Sequence, residues 1–301
     1  MESESVVMTA KEKKGILYAL LGGTGWGLSG TCGQFLFSYS DALPLTVTIY
    51  RLIFSGLLLI VINLISHPQG MLDIFKDWKT VLHLVIYAVF GVGLCQLSYL
   101  SAIRYSNSGT ATVLQSSGII LVFIIASIMQ HKAPRAVEYL CLALVMAGVF
   151  LLATHGEVRH LYLSKEGLFW GAAAAIAVAL YTLLPGKLMP RFGTSLVLGY
   201  AMLIGGLILF AFSGDARVLT DTRPVTILCI AFIVTVGTAL GFGFYLTGVG
   251  LCGAKKASMI SSIEPVVATL SSFLLLHTAF MPMDLAGFAS VILGCVLLSA
   301  L

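Results

Sequence analysis

The sequence predicts an all-α membrane protein whose ten transmembrane helices form two inverted five-helix repeats. Hydrophobic residues make up 58% of the 301-residue chain and charged residues only 10%, against about 25% charged residues in soluble domains. The apolar residues are gathered in blocks of about twenty, the length of helix that crosses a bilayer. The chain also resembles itself when it is shifted by 146 residues.

The predicted spans are uniformly apolar blocks separated by short polar connections. They cover residues 16–37, 43–65, 79–102, 108–130, 134–153, 166–186, 194–212, 225–250, 255–276 and 282–301. Transmembrane strands are about 10 residues long with alternating polarity, so these longer blocks favour helices. The polar N-terminal residues run into the first block without a small-residue cleavage pattern, so we expect a retained anchor and not a cleaved signal.

Lysine and arginine are distributed unequally between the two sides, and this distribution predicts the orientation. With the N-terminus in the cytoplasm, eleven of them lie in cytoplasmic connections, five lie on the opposite side, and Arg51 lies within the second span. We therefore expect a multi-pass protein of the cytoplasmic (inner) membrane with both termini in the cytoplasm. This bias also accounts for the net charge of +4, so the charge indicates no nucleic-acid partner.

Catalytic and metal-binding patterns are missing from the sequence. The six cysteines stand singly without CxxC spacing and are typical of buried packing residues. There is no HExxH, no GxSxG, no paired intramembrane carboxylate and no P-loop. The sequence therefore predicts no enzyme, no metal, no cofactor and no nucleotide-driven step.

The internal repeat matches residues of the same kind at one spacing. The pairs are Tyr99–Tyr245, Ala111–Ala257, Ser116–Ser262, His131–His277 and Gly148–Gly294. Because each copy holds five spans, the second copy enters the membrane from the opposite side, which is the architecture of secondary transporters. We predict a cytoplasmic segment over 1–14, a first repeat over 15–153 (helices 1–5) and a second over 154–301 (helices 6–10). Chance similarity between apolar segments is the alternative.

Glu264 is the only acidic residue deep inside a predicted span. At about 1.5 Å of helix per residue it lies roughly 12 Å past Lys256 and roughly 20 Å before His277. A carboxylate at that depth costs several kcal/mol unless it is partnered or faces water, so it is a functional candidate. We predict that it binds an ammonium group or exchanges a proton. A structural hydrogen bond to the facing helix is the alternative.

The surroundings of Glu264 in the sequence are polar. Pro265 lacks an N–H and is expected to kink the span at this point. Ser261 and Ser262 lie on an adjacent face of the same helix, which we expect to border a central cavity. In the repeat partner, Gln115 and Ser116 are expected to be neutral substrate contacts or partners of Glu264, although small polar residues also serve helix packing.

Gly118 occupies the position in the first repeat that Glu264 occupies in the second. The predicted site is therefore electrostatically asymmetric, because only one repeat supplies the carboxylate.

Arg51 lies about seven residues into its span, roughly 10 Å deep. Its guanidinium either snorkels to the membrane surface or faces the cavity and attracts a substrate carboxylate. Together, Arg51 and Glu264 would suit a zwitterion.

Four aromatic residues lie inside the spans, away from the membrane interfaces. They are Trp26, Tyr99, Tyr181 and Tyr245. A buried N–H or O–H needs a partner, so these positions favour a cavity wall over a lipid-facing surface. Ordinary packing is the alternative for each of them.

Several motifs resemble those of the drug/metabolite transporter superfamily, specifically its ten-helix EamA-type members. They are Trp26–Gly27, Arg51, the related blocks Tyr99–Ser117 and Tyr245–Pro265, and Glu264–Pro265 followed by Gly287 and Gly294. The resemblance covers nearly the whole chain. One departure is His131 and His277, which stand where the family often carries Gly-Glu; they either titrate near neutral pH or end helices at the interface.

The resemblance implies a secondary transporter that exports a small polar metabolite such as an amino acid, with spans five and ten at the periphery. Proton-coupled efflux of drugs or organic cations is the alternative within transport. An intramembrane enzyme or a membrane scaffold is the alternative outside it. The expected partners are a small-molecule substrate, the lipid bilayer and a coupling proton, and the sequence is also compatible with a homodimer.

Overall fold

The computed structural model describes residues 10–66, 68–129, 136–157 and 162–300, and all regular elements in these ranges are helical. The α-helices are α1 (Ala10–Tyr39), α2 (Pro44–Ser66), α3 (Trp78–Ile86), α4 (Leu94–Tyr105), α5 (Ser108–Ser116), α6 (Gly118–Met129), α7 (Ala136–Thr154), α8 (Lys165–Leu183), α9 (Leu188–Phe192), α10 (Thr194–Phe212), α11 (Pro224–Val234), α12 (Gly241–Cys252), α13 (Ala254–Ser261), α14 (Glu264–Leu276) and α15 (Pro282–Ala300). The predicted all-α class is confirmed. His131 and residues 1–9 of the predicted N-terminal segment lie outside the described residues.

Six helical segments in the described ranges are long and apolar enough to cross a membrane. They are Pro44–Ser66, Trp78–Tyr105, Ala136–Thr154, Lys165–Leu183, Thr194–Phe212 and Pro224–Cys252. The other predicted spans correspond to α1, which is 30 residues long and rich in glycine, to the broken pairs α5–α6 and α13–α14, and to α15. The membrane-protein class is confirmed on these six segments.

Two of the long segments contain π-helical turns in their middle. Tyr87–Gly93 joins α3 to α4, and Thr235–Leu240 joins α11 to α12. Such turns change the backbone hydrogen-bonding pattern and occur frequently at functional sites. Neither π-helical turn contains a proline, and the two turns were not predicted from the sequence.

Two further helices are broken near the middle of the bundle. α13 ends at Ser261 and α14 begins at Glu264, with Pro265 in its first turn. The kink predicted at Pro265 is therefore a full interruption. α5 likewise ends at Ser116 before α6 begins at Gly118, although no proline is present there. The Ser117 N–H is shared between the carbonyls of Val113 and Leu114, both at 3.2 Å, a bifurcated bond of the kind found at helix ends.

Side-chain caps explain why several helices begin where they do. Asp77 accepts from the Thr80 N–H at 3.1 Å, Asn107 from the Thr110 N–H at 2.8 Å, and Ser164 from the Gly167 N–H at 3.0 Å. These bonds satisfy amide groups that a helix start leaves unpaired. Hydrogen bonds from Thr80 also hold the pKa of the Asp77 carboxyl below its ordinary value.

The helices pack in pairs that join the N-terminal and C-terminal halves of the chain. α1 packs on α12 and α14, α2 on α10, α4 on α8, α5 on α14, and α7 on α15. Glycine permits the closest of these contacts. A Cβ atom at Gly56 would lie 2.6 Å from the Leu203 amide nitrogen, and one at Gly148 would lie 2.7 Å from the Gly287 carbonyl oxygen. Close helix approach through small residues is a general feature of membrane proteins.

Candidate substrate-binding site

A central cavity, formed by two adjoining lobes that share part of their lining, lies between the two halves of the chain. The deep lobe has a volume of about 330 Å³ and is lined by Trp26, Arg51, Cys95, Gln96, Tyr99, Gln115 and seven further residues. The outer lobe has a volume of about 440 Å³. The two lobes share the wall formed by Val178, Tyr181, Thr182, Phe242, Tyr245, Ser261 and Glu264.

All ten residues singled out in the sequence line this cavity. Eight of them border the deep lobe: Trp26, Arg51, Tyr99, Gln115, Tyr181, Tyr245, Ser261 and Glu264. Ser116 and Ser262 border the outer lobe. The chain thus brings together side chains from α1, α2, α4, α5, α8, α12, α13 and α14.

Arg51 is buried, with only 5% of its surface exposed. Its Nε donates to Thr238 Oγ1 at 2.9 Å and its Nη2 donates to the Gly237 carbonyl at 3.3 Å. The snorkelling alternative is therefore wrong. Both acceptors belong to the π-helical turns between α11 and α12, so this irregular backbone anchors the guanidinium.

Arg51 Nη1 is buried and has no hydrogen-bond acceptor among the described residues. A buried N–H group of a cation that lacks an acceptor is costly. Because Arg51 lines the deep lobe, a ligand in that lobe can supply the missing acceptor.

Glu264 stands at the junction of the two lobes, as the first residue of α14. Within the described ranges, no side-chain or backbone donor forms a hydrogen bond with its carboxylate, so the alternative of a structural bond to a facing helix finds no support. Gln115, which was expected to be either a neutral substrate contact or a partner of Glu264, lines the deep lobe and donates to Cys95 Sγ at 3.5 Å. The carboxylate therefore keeps its accepting capacity for a ligand or a proton.

Only one repeat carries the carboxylate, and packing explains why. A Cβ atom at Gly118, the counterpart of Glu264, would collide with the Ala175 carbonyl oxygen of α8. No side chain fits at that position without moving the backbone of α8. The charge asymmetry is thus built into the close contact between α6 and α8.

The aromatic residues surround the cavity in different ways. The Trp26 ring packs against Phe242 and Tyr245, with ring centroids 5.0 Å and 5.2 Å apart. The hydroxyl groups of Tyr99 and Thr112 share a hydrogen bond of 2.9 Å. In contrast, Trp26 Nε1 is buried and has no acceptor in the part of the chain that the structure describes. The expectation of a bonding partner thus holds for Tyr99 and is wrong for Trp26.

Hydroxyl and amide side chains close the bundle at the end where α1 terminates. Thr31 Oγ1 and Ser271 Oγ lie 2.6 Å apart, and Gln34 Nε2 donates to Thr278 Oγ1 at 2.8 Å. The Ser272 hydroxyl donates to Gln34 Oε1 at 2.8 Å. These bonds link α1 to α14 and to the residues after it, and they separate the deep lobe from that end of the molecule.

Two arginines donate hydrogen bonds to the last turn of α1 at the same end of the bundle. Arg104, at the end of α4, donates to the Phe37 carbonyl. Arg223, just before α11, donates to the Tyr39 carbonyl at 3.0 Å and packs over the Tyr39 ring. Hydrogen bonds from Arg223 also lower the pKa of the Asp221 carboxyl from its ordinary value. Positive groups at a helix C-terminus complement its exposed carbonyls.

The outer lobe reaches toward the opposite end of the bundle. The outer lobe extends to Pro185, Met189 and Thr194, in the connection between α8 and α10. The structure therefore presents the site toward the end of the bundle at which α8 terminates.

A larger depression lies between α2 and the start of α10, where Thr194 borders both it and the outer lobe. Its volume is about 750 Å³, and its lining includes Asn63, Asp73 and Arg191 but none of the residues predicted for the site. Asp73 pairs with Lys76 on the surface at 2.7 Å. Because its charged groups are solvated and no buried charge faces it, the smaller central cavity is the candidate site.

Part of the cavity wall was not predicted from the sequence. Phe242, one turn before Tyr245, and Thr182, next to Tyr181, could have been found from helical spacing. Ile292 and Cys295 of α15 could not, because the resemblance implied that span ten is peripheral, and this is wrong for the outer lobe. The two acceptors of Arg51, Thr238 and Gly237, were not predicted either, because the π-helical turns position them.

The comparisons with known proteins show the family to which the chain belongs. A profile described as the EamA-like transporter family matches residues 13–154 and again residues 165–300. The chain belongs to this family. The resemblance stated on the Glu264–Pro265 motif is thereby confirmed, and this family member is a membrane transporter and not an enzyme.

Two relatives are named as transporters, and one solved structure shares the fold. The chain is 35% identical over 287 residues to a protein of Salmonella typhimurium named uncharacterized inner membrane transporter YicL, with 95% of each chain covered. It is 25% identical over 289 residues to the uncharacterized transporter YwfM of Bacillus subtilis, with 94% of this chain and 93% of that protein covered. A solved crystal structure at 14% identity shares the fold, with a TM-score of 0.64 over 96% of each chain.

Proposed function

We propose that this EamA-family member exports a small zwitterionic metabolite, such as an amino acid, across the cytoplasmic membrane by alternating access. The observation that carries the proposal is the pair of opposite charges lining one cavity. Arg51 Nη1 has no acceptor, and the Glu264 carboxylate has no donor, among the described residues. The carboxylate of a zwitterionic substrate would supply the acceptor for Arg51, and its ammonium group would supply the donor for Glu264. Buried charges are stable only when they are paired in this way.

The size and surroundings of the cavity support this assignment. Pockets that hold small molecules have volumes of about 300–1,000 Å³ and combine apolar walls with few polar groups. The deep lobe has about 330 Å³, with Trp26, Tyr99 and Phe242 beside the two charges. A guanidinium binds a carboxylate through parallel N–H groups, so Arg51 would hold the carboxylate and Glu264 the ammonium.

Repeated irregularities support the proposal of two inverted five-span repeats, over 15–153 and 154–301. The π-helical turns Tyr87–Gly93 and Thr235–Leu240 stand at nearly the same place in the two halves. So do the interruptions after Ser116 and Ser261, close to the spacing of 146 residues. In the two proposed repeats, α1 corresponds to α8 and α4 corresponds to α12. The contact of α1 with α12 therefore has a counterpart in the contact of α8 with α4. With ten crossings, two such units can rock about a shared site.

The direction of opening supports export. The outer lobe extends toward the end of the bundle where α8 terminates, while hydroxyl groups such as Thr31 and Ser271 close the other end. With both termini in the cytoplasm, as the Lys and Arg distribution predicts, the open end is cytoplasmic. A substrate would then load from inside the cell.

Proton-coupled efflux of organic cations is the second candidate function. It is favoured by the aromatic rings of Trp26, Phe242 and Tyr245 around Glu264, since such rings attract cations. The positive charge of Arg51 in the same lobe opposes it, because a cationic substrate would be repelled there. The zwitterion accounts for both charges and is therefore the leading proposal.

The proposal is tested by a thermal-shift screen of the purified protein against amino acids, amines and nucleosides. An amino acid should raise the unfolding temperature, because a ligand that binds only the folded state stabilises it. The corresponding amine and the corresponding carboxylic acid should have much smaller effects. A shift with amines alone would favour the cation-efflux function, and no shift with any amino acid would contradict the proposal.

A further inference from the structure

The two lobes of the cavity differ in chemistry. Arg51 borders only the deep lobe, whereas Glu264 borders both. The residues that border the outer lobe alone are largely apolar. They are Ser116, Val122, Pro185, Met189, Thr194, Leu246, Ser262, Pro265, Ile292 and Cys295.

We propose that the outer lobe is the binding site for the side chain of the substrate, and that it selects zwitterions with a bulky apolar side chain. This inference rests on the proposed function. If Arg51 holds the carboxylate and Glu264 the ammonium, the α-carbon lies between them, at the junction of the lobes. The side chain leaves the α-carbon there and extends into the outer lobe.

The composition of the outer lobe excludes a charged side chain. Among the described residues that line it, Glu264 is the only charged one, and in the proposed complex this carboxylate already pairs with the α-ammonium. The hydroxyl of Ser116 is used within its own helix, where it donates to the Thr112 carbonyl at 2.8 Å. A second ammonium or carboxylate on the side chain would lose its hydration without gaining a partner.

The walls of the outer lobe fit side chains of different lengths. Met189 is unbranched and flexible, and residues of this kind adapt to irregular volumes. Val122, Leu246 and Ile292 offer branched apolar surface from three different helices. Each methylene group that enters this lobe should tighten binding by roughly threefold to fourfold, the value of burying one CH₂ group.

Ile292 is the position that tests the size of the lobe. Its side chain borders the outer lobe, whereas the next residue, Leu293, is 50% exposed and does not border it. Ile292→Trp fills the lobe, and Leu293→Trp adds the same group to the outer surface of the same helix. The pair therefore separates loss of cavity volume from a general effect of the substitution.

The experiment measures equilibrium binding of alanine, 2-aminobutyrate, norvaline, norleucine and lysine to the purified protein. In the wild type we expect affinity to rise from alanine to norleucine by roughly 30- to 60-fold over three methylenes, and lysine to bind more weakly than norleucine. Ile292→Trp should abolish the preference for the longer side chain, so that norleucine and alanine bind the variant with similar affinity. Leu293→Trp should change neither.

Should Ile292→Trp fail to fold, Ile292→Ala replaces it, and this variant should lose more affinity for norleucine than for alanine. Equal affinities for alanine and norleucine in the wild type would overturn the inference while leaving the proposed function intact. So would an equal loss for both ligands in a folded Ile292 variant. If no member of the series binds, alanine included, the proposed function itself fails.

Discussion

Arg51 offers the sharpest perturbation of the proposed site. Replacing it with Gln removes the positive charge and leaves a side chain that can still reach a polar neighbour. The wild-type guanidinium has two bonds to the protein, to Thr238 and Gly237, and one N–H group without an acceptor among the described residues. The substitution therefore affects both the packing of the site and the binding of a substrate carboxylate.

The two effects can be separated by comparing two ligands. Leucine carries a carboxylate, and isoamylamine is the same molecule without it. The loss of the bonds to Thr238 and Gly237 weakens the binding of both ligands alike. Its effect therefore cancels when the loss of affinity for one ligand is compared with that for the other. What remains is the hydrogen bond between a guanidinium and a carboxylate, about 1.5–3 kcal/mol for a bond to a charged group.

We therefore expect Arg51→Gln to weaken leucine binding roughly 10- to 150-fold more than isoamylamine binding. The assay is equilibrium binding of both ligands to purified wild type and variant in detergent. Arg51→Lys keeps the charge but not the planar fork, so its effect should be intermediate. Lys76→Gln serves as a control, since Lys76 is exposed and pairs only with Asp73 among the described residues.

The reasoning would be refuted if Arg51→Gln weakened leucine and isoamylamine by the same factor. In that case Arg51 would support the structure of the site without contacting the carboxylate. Tighter binding of the amine by the variant, with no change for leucine, would instead favour the cation-efflux function.

Three further perturbations address other parts of the site and fold. Glu264→Gln should lower the rate of leucine exchange in proteoliposomes roughly 10- to 150-fold, because it removes the acceptor for the ammonium group of leucine. Exchange at the wild-type rate, together with loss of pH-driven uptake, would instead assign Glu264 to proton coupling. Thr31→Val removes a hydroxyl that joins α1 to α14. The equilibrium constant for opening at that end should therefore increase roughly fivefold for each 1 kcal/mol of hydrogen-bond free energy that is lost. Alkylation of a Ser272→Cys thiol, in a background without native cysteines, measures this opening, and an unchanged rate would contradict the closing role. Gly56→Ala should destabilise the α2–α10 contact by about 1–3 kcal/mol through overpacking. Gly243→Ala, where a Cβ meets nothing within 4 Å, should leave the unfolding temperature nearly unchanged, and equal shifts in the two variants would contradict the packing argument.

The helical class and the position of the charged residues were predictable because they follow from local composition. An uninterrupted apolar block in a membrane can satisfy its backbone only as a helix. Glu264 stood out for the same reason, since a carboxylate inside such a block is costly without a function. Ser261 and Tyr245 followed from helical spacing and from the repeat.

The geometry that completes the site was not predictable from the sequence. The π-helical turns that present Gly237 and Thr238 to Arg51 contain no proline to mark them. The interruption at Ser117 likewise depends on how α5 and α6 pack against neighbouring helices. Ile292 lies in the cavity wall because α15 packs against α5 and α13 through tertiary contacts that no local pattern records. Backbone irregularity and helix placement are tertiary properties, and these are the parts that the sequence left open.

Counterflow of labelled leucine tests the central claim most directly. Proteoliposomes preloaded with excess unlabelled leucine should transiently accumulate the label through the wild-type protein, and unloaded vesicles should not. Lys76→Gln should behave as the wild type, whereas Arg51→Gln should lose the accumulation at substrate concentrations that saturate the wild type. Equal counterflow by Arg51→Gln and the wild type, or no counterflow of any amino acid by the wild type, would contradict a zwitterion held between Arg51 and Glu264.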